Sequence, residues 1–276
     1  MDIKLMEARQ KYIHRDISWL MFNERVIEEA EDISNPLLER LKFLGIAVNN
    51  LDEFLMVRYA GALSLFNQGY TKQDSFGYYP GELVEQLRSR VRELNSRLYD
   101  LFSVKILPEM KKNNISLREY TELNQEQKKQ VKIFFENTIF PTVTPMAVDQ
   151  GHPFPALSTK TISFAIKLKN GKKTFLAVLP LPKSLPRVFK LKSSQDEFIV
   201  IDDILRNNLE VFFRGYEVVD VLKFRILRDS ELDFEEEESP DLLETIENSI
   251  RNRARGKVVY LEAEAGYSKS LMAEIC

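Results

Sequence analysis

The 276-residue sequence predicts an α+β protein. An all-helical bundle domain over residues 1–112 precedes a mixed α/β domain over 113–276 with a mostly antiparallel sheet. Three observations carry this. Between Asp16 and Leu101 apolar residues recur at steps of three and four, the period of a buried helix face. From Ser163 onward they gather instead into short runs rich in Val, Ile, Phe and Tyr, and one pair of runs flanks Asn170-Gly171, a strong hairpin signal. Helices and strands then mix without strict alternation, which favours helices on one side of an antiparallel sheet.

The first helix is expected from Asp16, as cap, through Trp19, Phe22, Val26 and Ala30. Asn35-Pro36 reads as a cap followed by proline in the first turn, opening a helix with Leu37, Leu41, Leu44 and Val48 on one face. Asn49-Asn50 breaks the pattern, because short amides compete for backbone hydrogen bonds. A third helix is expected from Leu51, with Phe54, Leu55, Arg58 and Ala62 turned inward. Asn67 to Gly81 reads as a loop. Val84, Leu87, Val91, Leu94, Leu98 and Leu101 then form a heptad seam, read as packed within its own bundle because it is short for a self-sufficient zipper. Pro108 and Asn113-Asn114 are expected to end this half.

In the second half an amphipathic helix is expected near Gln125–Ile139, then an extended Phe140–Pro145 stiffened by its prolines. Ser163–Leu168 and Thr174–Leu179 form the hairpin. Phe198–Ile201 reads as a strand leading into a helix that ends before Gly215, and Glu217–Leu227 as another strand. Asp241–Arg255 is expected as a helix closed by Gly256, and Lys257–Ala265 as a strand. Gly266–Leu271 looks like a turn opening a further helix capped by Ser268 or Ser270, as if the sequence stopped inside a larger protein.

Composition narrows the function. With 39 Lys+Arg against 42 Asp+Glu, there is no global attraction to nucleic acid or anionic membrane. The only cysteine is Cys276 and the only histidines are His14 and His152, so disulfide frameworks and Cys- or His-based metal sites are excluded. No apolar run approaches the ~20 residues of a membrane span. No signal-peptide core opens the chain, so a cytoplasmic location is expected.

Most motifs have plain readings. Gly171-Lys172-Lys173-Thr174 echoes the end of a phosphate-binding loop but lies between two strands and lacks the upstream glycine. His152, in Gly151-His152-Pro153-Phe154-Pro155, is read as a structural histidine near Asp149, and His14 has no visible partner. The acidic run Asp233–Asp241 reads as solvated. Asn49-Asn50-Leu51-Asp52-Glu53-Phe54 carries two readings. Either an amide caps the helix beginning at Leu51, or an amide held at a helix junction meets the donor/acceptor edge of a nucleobase.

These stretches resemble a known family. Arg15–Val26, Pro36–Leu44 and Asn50-Leu51-Asp52-Glu53-Phe54 resemble the amino-terminal domain of the bacterial polyphosphate kinases, which make long-chain polyphosphate from ATP. Pro141–Asp149, His152–Pro155, Leu185-Pro186-Arg187 and Phe224–Asp229 are similar to that family's head domain, and the resemblance spans nearly the whole chain in order.

The resemblance implies an enzyme that reversibly transfers the ATP γ-phosphate to a polyphosphate chain through a phosphohistidine, with Mg2+. It places the phosphorylated histidine, its helper histidine and the magnesium-serving arginines beyond residue 276, so this chain holds no catalytic residue and no metal ligand, and His152 is not the phosphorylated one. The asparagine that the family uses for ATP binding corresponds to Asn50. The partners implied are ATP and ADP, polyphosphate, and further copies of the chain as a homodimer or homotetramer through the head domain. No nucleic-acid partner and no transmembrane segment are expected. The alternative is a truncated, non-catalytic paralogue acting as an interaction module.

Overall fold

The computed structural model describes residues 11–230 and 256–275. The expected helix at Asp241–Arg255, the acidic run Asp233–Asp241 and Cys276 lie outside them. The chain divides into two units, one of residues 1–110 and 227–260, the other of 111–226 and 261–276. Residues 227–230 and 256–260, expected with the second domain, therefore group with the first.

In the first unit, α1 (Arg15–Glu31) is capped by His14, not Asp16: the imidazole Nδ1 accepts from the Asp16 amide at 3.1 Å. Its buried stripe is Leu20, Asn23, Ile27 and Ala30, rotated by about one residue from the expected face; Phe22 is exposed. Asn35 does not cap the next helix but folds back, donating to the Glu29 carbonyl at 2.9 Å, and Pro36 occupies the cap position. The helix α2 (Leu37–Phe54) then runs straight through Asn49-Asn50. It continues by a π turn at Leu55–Tyr59 into α3 (Ala60–Asn67), so the expected break and the separate third helix merge into one element. Phe54, Leu55 and Ala62 are buried as expected, whereas Arg58 is exposed.

Five residues of the seam fall on α4 (Pro80–Asp100) and the sixth, Leu101, directly after it, and all six are buried in the unit's own core beside Leu20, Ile27, Leu51 and Phe54. Pro108 does not end this helix. A π turn at Leu101–Ile106 precedes α5 (Leu107–Lys112), and the wider register accommodates a residue that cannot donate to the carbonyl four back. Termination falls to Asn114, in the left-handed conformation at φ 62°.

The second unit opens with β1 (Ile115–Arg118) and α6 (Gln125–Phe134), whose cap Asn124 accepts from the Gln127 amide at 2.9 Å. Phe140–Thr142 turns instead of extending: Phe140 packs on Phe212 with ring centroids 5.1 Å apart, and Thr142 donates back to the Ile139 carbonyl. The strands β2 (Met146–Val148), β3 (Ile162–Asn170), β4 (Lys173–Pro180), β7 (Glu217–Arg228) and β8 (Val258–Ala263) form a sheet in the order β2-β4-β3-β7-β8. Pairs with registered partners in it are antiparallel. The β3–β4 hairpin closes from Asn170 to Lys173 over Gly171-Lys172, with Gly171 at φ +60°, a left-handed position that favours glycine in such a turn.

The strands β5 (Val188–Lys190) and β6 (Asp196–Val200) form a smaller sheet with β1, whose β1–β6 pair is parallel. The helix α7 (Ile201–Arg206) follows it. The large sheet is buried on both faces, contrary to the one-sided expectation. Phe164, Ile166 and Leu179 pack with Val131 and Phe135 of the α6 region and with Ile204 and Leu205 of α7. Ala165, Val178, Leu222 and Phe224 pack with Leu271 of α8 (Lys269–Ile275), whose cap Ser268 accepts from the Leu271 amide at 3.4 Å. This is why Ser163–Ile166 reads as a continuous buried run without alternation.

Candidate functional site

Asn50 is placed by a chain of amides. Asn23 lies wholly buried within the apolar stripe of α1, a position where an unpaired amide would be costly. Its Nδ2 donates to the Ala47 carbonyl of α2 at 3.0 Å. A backbone carbonyl only accepts, so this bond fixes the flip of the Asn23 amide and turns its Oδ1 away from Ala47. That Oδ1 accepts from Nδ2 of Asn50 at 3.1 Å. The orientation of Asn50 follows from Asn23 in turn: one N–H is used, while its Oδ1 and second N–H have no partner among the described residues. Asn50 is half-buried and stands mid-helix, so it is not a cap. The tertiary bond to Asn23 also explains why the amides do not break α2, since the side chain that would compete for the backbone is engaged across the helix pair.

Beside Asn50, Asp52 is buried, and Trp19 stacks on Phe54 with centroids 4.9 Å apart and planes at 21°. The π turn begins one residue after Phe54, and such turns recur at functional sites because they re-aim the side chains of the next turn.

His14 has a partner that the sequence does not reveal. Its Nε2 lies 3.1 Å from Oδ2 of Asp74 in the 68–79 loop, within ion-pair distance but off the axis of a hydrogen bond, so that Oδ2 is buried without a donor. The other oxygen, Oδ1, accepts from the amides of Phe76 and Tyr78 at 2.8 and 2.9 Å, and both rings meet the imidazole edge-on. His14 and Asp74 line a cleft of about 690 Å³ together with Arg15, Asp16, Arg58 and Lys72. Asn50 does not line it.

In the second unit Nδ1 of His152 lies 3.0 Å from Oδ1 of Asp149, which also accepts the Gly151 and His152 amides. The histidine's hydrogen bond, and then those amides, hold the Asp149 carboxyl below its ordinary range. Both side chains are exposed, and the arrangement is a turn lock. Among the described residues no group of three or more His, Cys, Asp or Glu side chains could hold a metal ion. Nor is any helix among them long and apolar enough to cross a membrane.

A helical unit bearing an amide pair on Asn-Leu-Asp-Glu-Phe, and an α/β unit built on a two-faced sheet, match the two leading domains of one enzyme family. Residues 12–118 match the polyphosphate kinase N-terminal domain and residues 126–276 the polyphosphate kinase middle domain, and the chain belongs to the polyphosphate kinase family. It is 38% identical over 261 residues to the polyphosphate kinase of Lactiplantibacillus plantarum, covering 94% of this chain and 36% of that protein. With that of Exiguobacterium sibiricum it shares 37% identity over 268 residues, covering 94% and 37%. The crystal structure of polyphosphate kinase from Porphyromonas gingivalis superposes with a TM-score of 0.77 at 25% identity, over 96% of this chain and 37% of that one. The chain thus spans just over a third of the length of the relatives it matches.

Proposed function

We propose that this chain is the amino-terminal portion of an enzyme that reversibly transfers the γ-phosphate of ATP to a polyphosphate chain, and that it contributes an adenine contact through Asn50. In the whole enzyme a histidine nitrogen attacks the γ-phosphorus, forming an N–P bond as the bond to the ADP oxygen breaks. The terminal oxyanion of the polyphosphate then attacks that phosphorus, forming a P–O–P link and releasing the imidazole. Both histidines of that chemistry lie outside residues 1–276, as do the ligands of magnesium, and the second unit contributes to self-association.

The observation that carries the reading is the Asn23–Asn50 pair. An amide whose orientation is fixed from behind leaves one acceptor and one donor without a partner among the described residues, the complement of an adenine edge with its amino donor and ring-nitrogen acceptor. The experiment is to incubate the full-length protein with γ-labelled ATP and magnesium. Polyphosphate should form, and acid-labile, alkali-stable label should appear only outside residues 1–276. Label on His14 or His152 contradicts this division of labour.

A further inference from the structure

We infer that a small cleft in the second unit, between Lys160-Thr161 and the Lys183–Arg187 loop, binds a phosphoryl oxyanion. The cleft holds about 210 Å³, and the nine described residues that line it include Lys160, Lys183 and Arg187 and no acid. Lys183 is exposed and makes no ion pair or hydrogen bond among the described residues. Arg187 is half-exposed and anchored from behind: one guanidinium nitrogen holds the buried Asp202 at 2.8 Å, so the head is oriented.

Two further observations fit an anion at this cleft. Thr161 lines the cleft and is only 7% exposed, yet its hydroxyl has no hydrogen-bond partner, a cost that a folded protein ordinarily avoids. An oxyanion in the cleft is the kind of acceptor that this hydroxyl lacks. Lys160 stands at φ 63°, the left-handed region that a residue with a Cβ enters at a cost, and its amide bond to the Ile226 carbonyl at 2.9 Å holds it there. The opposite wall is equally fixed: the Leu185 amide closes a turn onto the Pro182 carbonyl, and the Arg187 carbonyl accepts from Ile201. The Lys183 ammonium, the remaining N–H groups of Arg187, a hydroxyl without an acceptor and a rigid frame suit a tetrahedral oxyanion. The source is either free phosphate or one residue of a phosphate chain. The site stands on the second unit's own geometry and needs no role for Asn50.

The test is chemical footprinting on the full-length protein. Acetylation of Lys183 is followed by peptide mass spectrometry in chloride, inorganic phosphate or tripolyphosphate at equal ionic strength, with exposed Lys172 of the hairpin turn as internal control. A bound phosphoryl group should slow the reaction at Lys183 about tenfold relative to chloride and leave Lys172 unchanged. Protection by both anions identifies free phosphate, and protection by tripolyphosphate alone identifies the chain. Thr161→Val should raise the melting temperature, since an unsatisfied hydroxyl is removed, and yet weaken the protection; Thr161→Ser should restore it. Asn50→Ala should protect like wild type, which keeps this site separate from the adenine contact. Equal reactivity of Lys183 in all three anions, or full protection in a folded Thr161→Val protein, overturns the inference.

Discussion

The amide of Asn50 donates to the amide of Asn23 across two helices, and the Ala47 carbonyl behind Asn23 dictates which way both of them point. The first consequence concerns stability. Asn50→Asp places a carboxylate oxygen against Oδ1 of Asn23, two acceptors with no proton between them. Because Asn50 is not a cap, the usual equivalence of Asp and Asn at helix starts gives no compensation. Asn50→Asp should lose about 1–2 kcal/mol and melt below Asn50→Ala, which removes the repulsion and favours the helix. Urea unfolding of the two variants checks this, and equal midpoints contradict it.

Asn23→Leu tests the relay from its other end. Leucine suits the apolar stripe but removes the side-chain hydrogen bond that the Ala47 carbonyl accepts beyond its helical one, and leaves Asn50 free to turn. The expected outcome is a stability loss of about 1–3 kcal/mol together with weaker ATP binding in the full-length enzyme. Loss of stability with unchanged nucleotide affinity would show that Asn23 does not position Asn50.

His14 joins the start of α1 to the 68–79 loop through its cap bond and its contact with Asp74. His14→Ala should cost about 1–2 kcal/mol, and His14→Asn should recover the cap share of that loss but not the loop contact. Denaturant midpoints for the pair separate the two shares.

Leu94 lies in the buried seam at 2% exposure. Leu94→Ala should cost about 2–5 kcal/mol, and Leu94→Glu more, because it buries an unpaired charge. If Leu94→Glu instead yields a well-folded monomer from an associated wild type, the seam is an intermolecular contact.

Asp202 provides a pH signature. Burial pushes its carboxyl up, but the Lys223 ammonium at 2.9 Å, and then Arg187, outweigh this and hold it below the ordinary carboxylate range. A carboxyl depressed in the folded state contributes stability that is complete above the unfolded pKa of about 4 and is lost as pH falls through the lower folded value. Wild-type unfolding midpoints should therefore drop below about pH 4. Asp202→Asn should be destabilised at neutral pH, where it leaves Lys223 and Arg187 without their anion, and should show a shallower acid limb. Parallel acid limbs for the two proteins would refute this.

Much of the fold was legible because period and turn chemistry act locally. The seam from Val84 to Leu101, the hairpin about Gly171 and the Ser268-capped last helix each follow from neighbours in sequence. What was not legible depends on partners far away. Asn49-Asn50 looks like a helix break until Asn23, 27 residues earlier, accepts from Asn50. His14 looks partnerless until the loop brings Asp74 to it. Pro108 looks like a terminator until the π turn before it relaxes the register. One signal for Asn23 was present: an amide at a step of three from Leu20 and four from Ile27 stands on the buried stripe, where it needs a partner. At the candidate site, the motif pointed to Asn50, while the residue that aims it emerged only from the packing of the two helices.

Nucleotide titration of the full-length enzyme tests most directly whether the unpartnered edge of Asn50 meets adenine. Asn50→Ala should bind ATP about tenfold to a hundredfold more weakly than wild type, the loss expected for one or two buried hydrogen bonds, while still melting cooperatively. An Asn50→Ala enzyme that unfolds earlier but binds ATP with wild-type affinity would contradict the account and leave Asn50 as a bond between two helices.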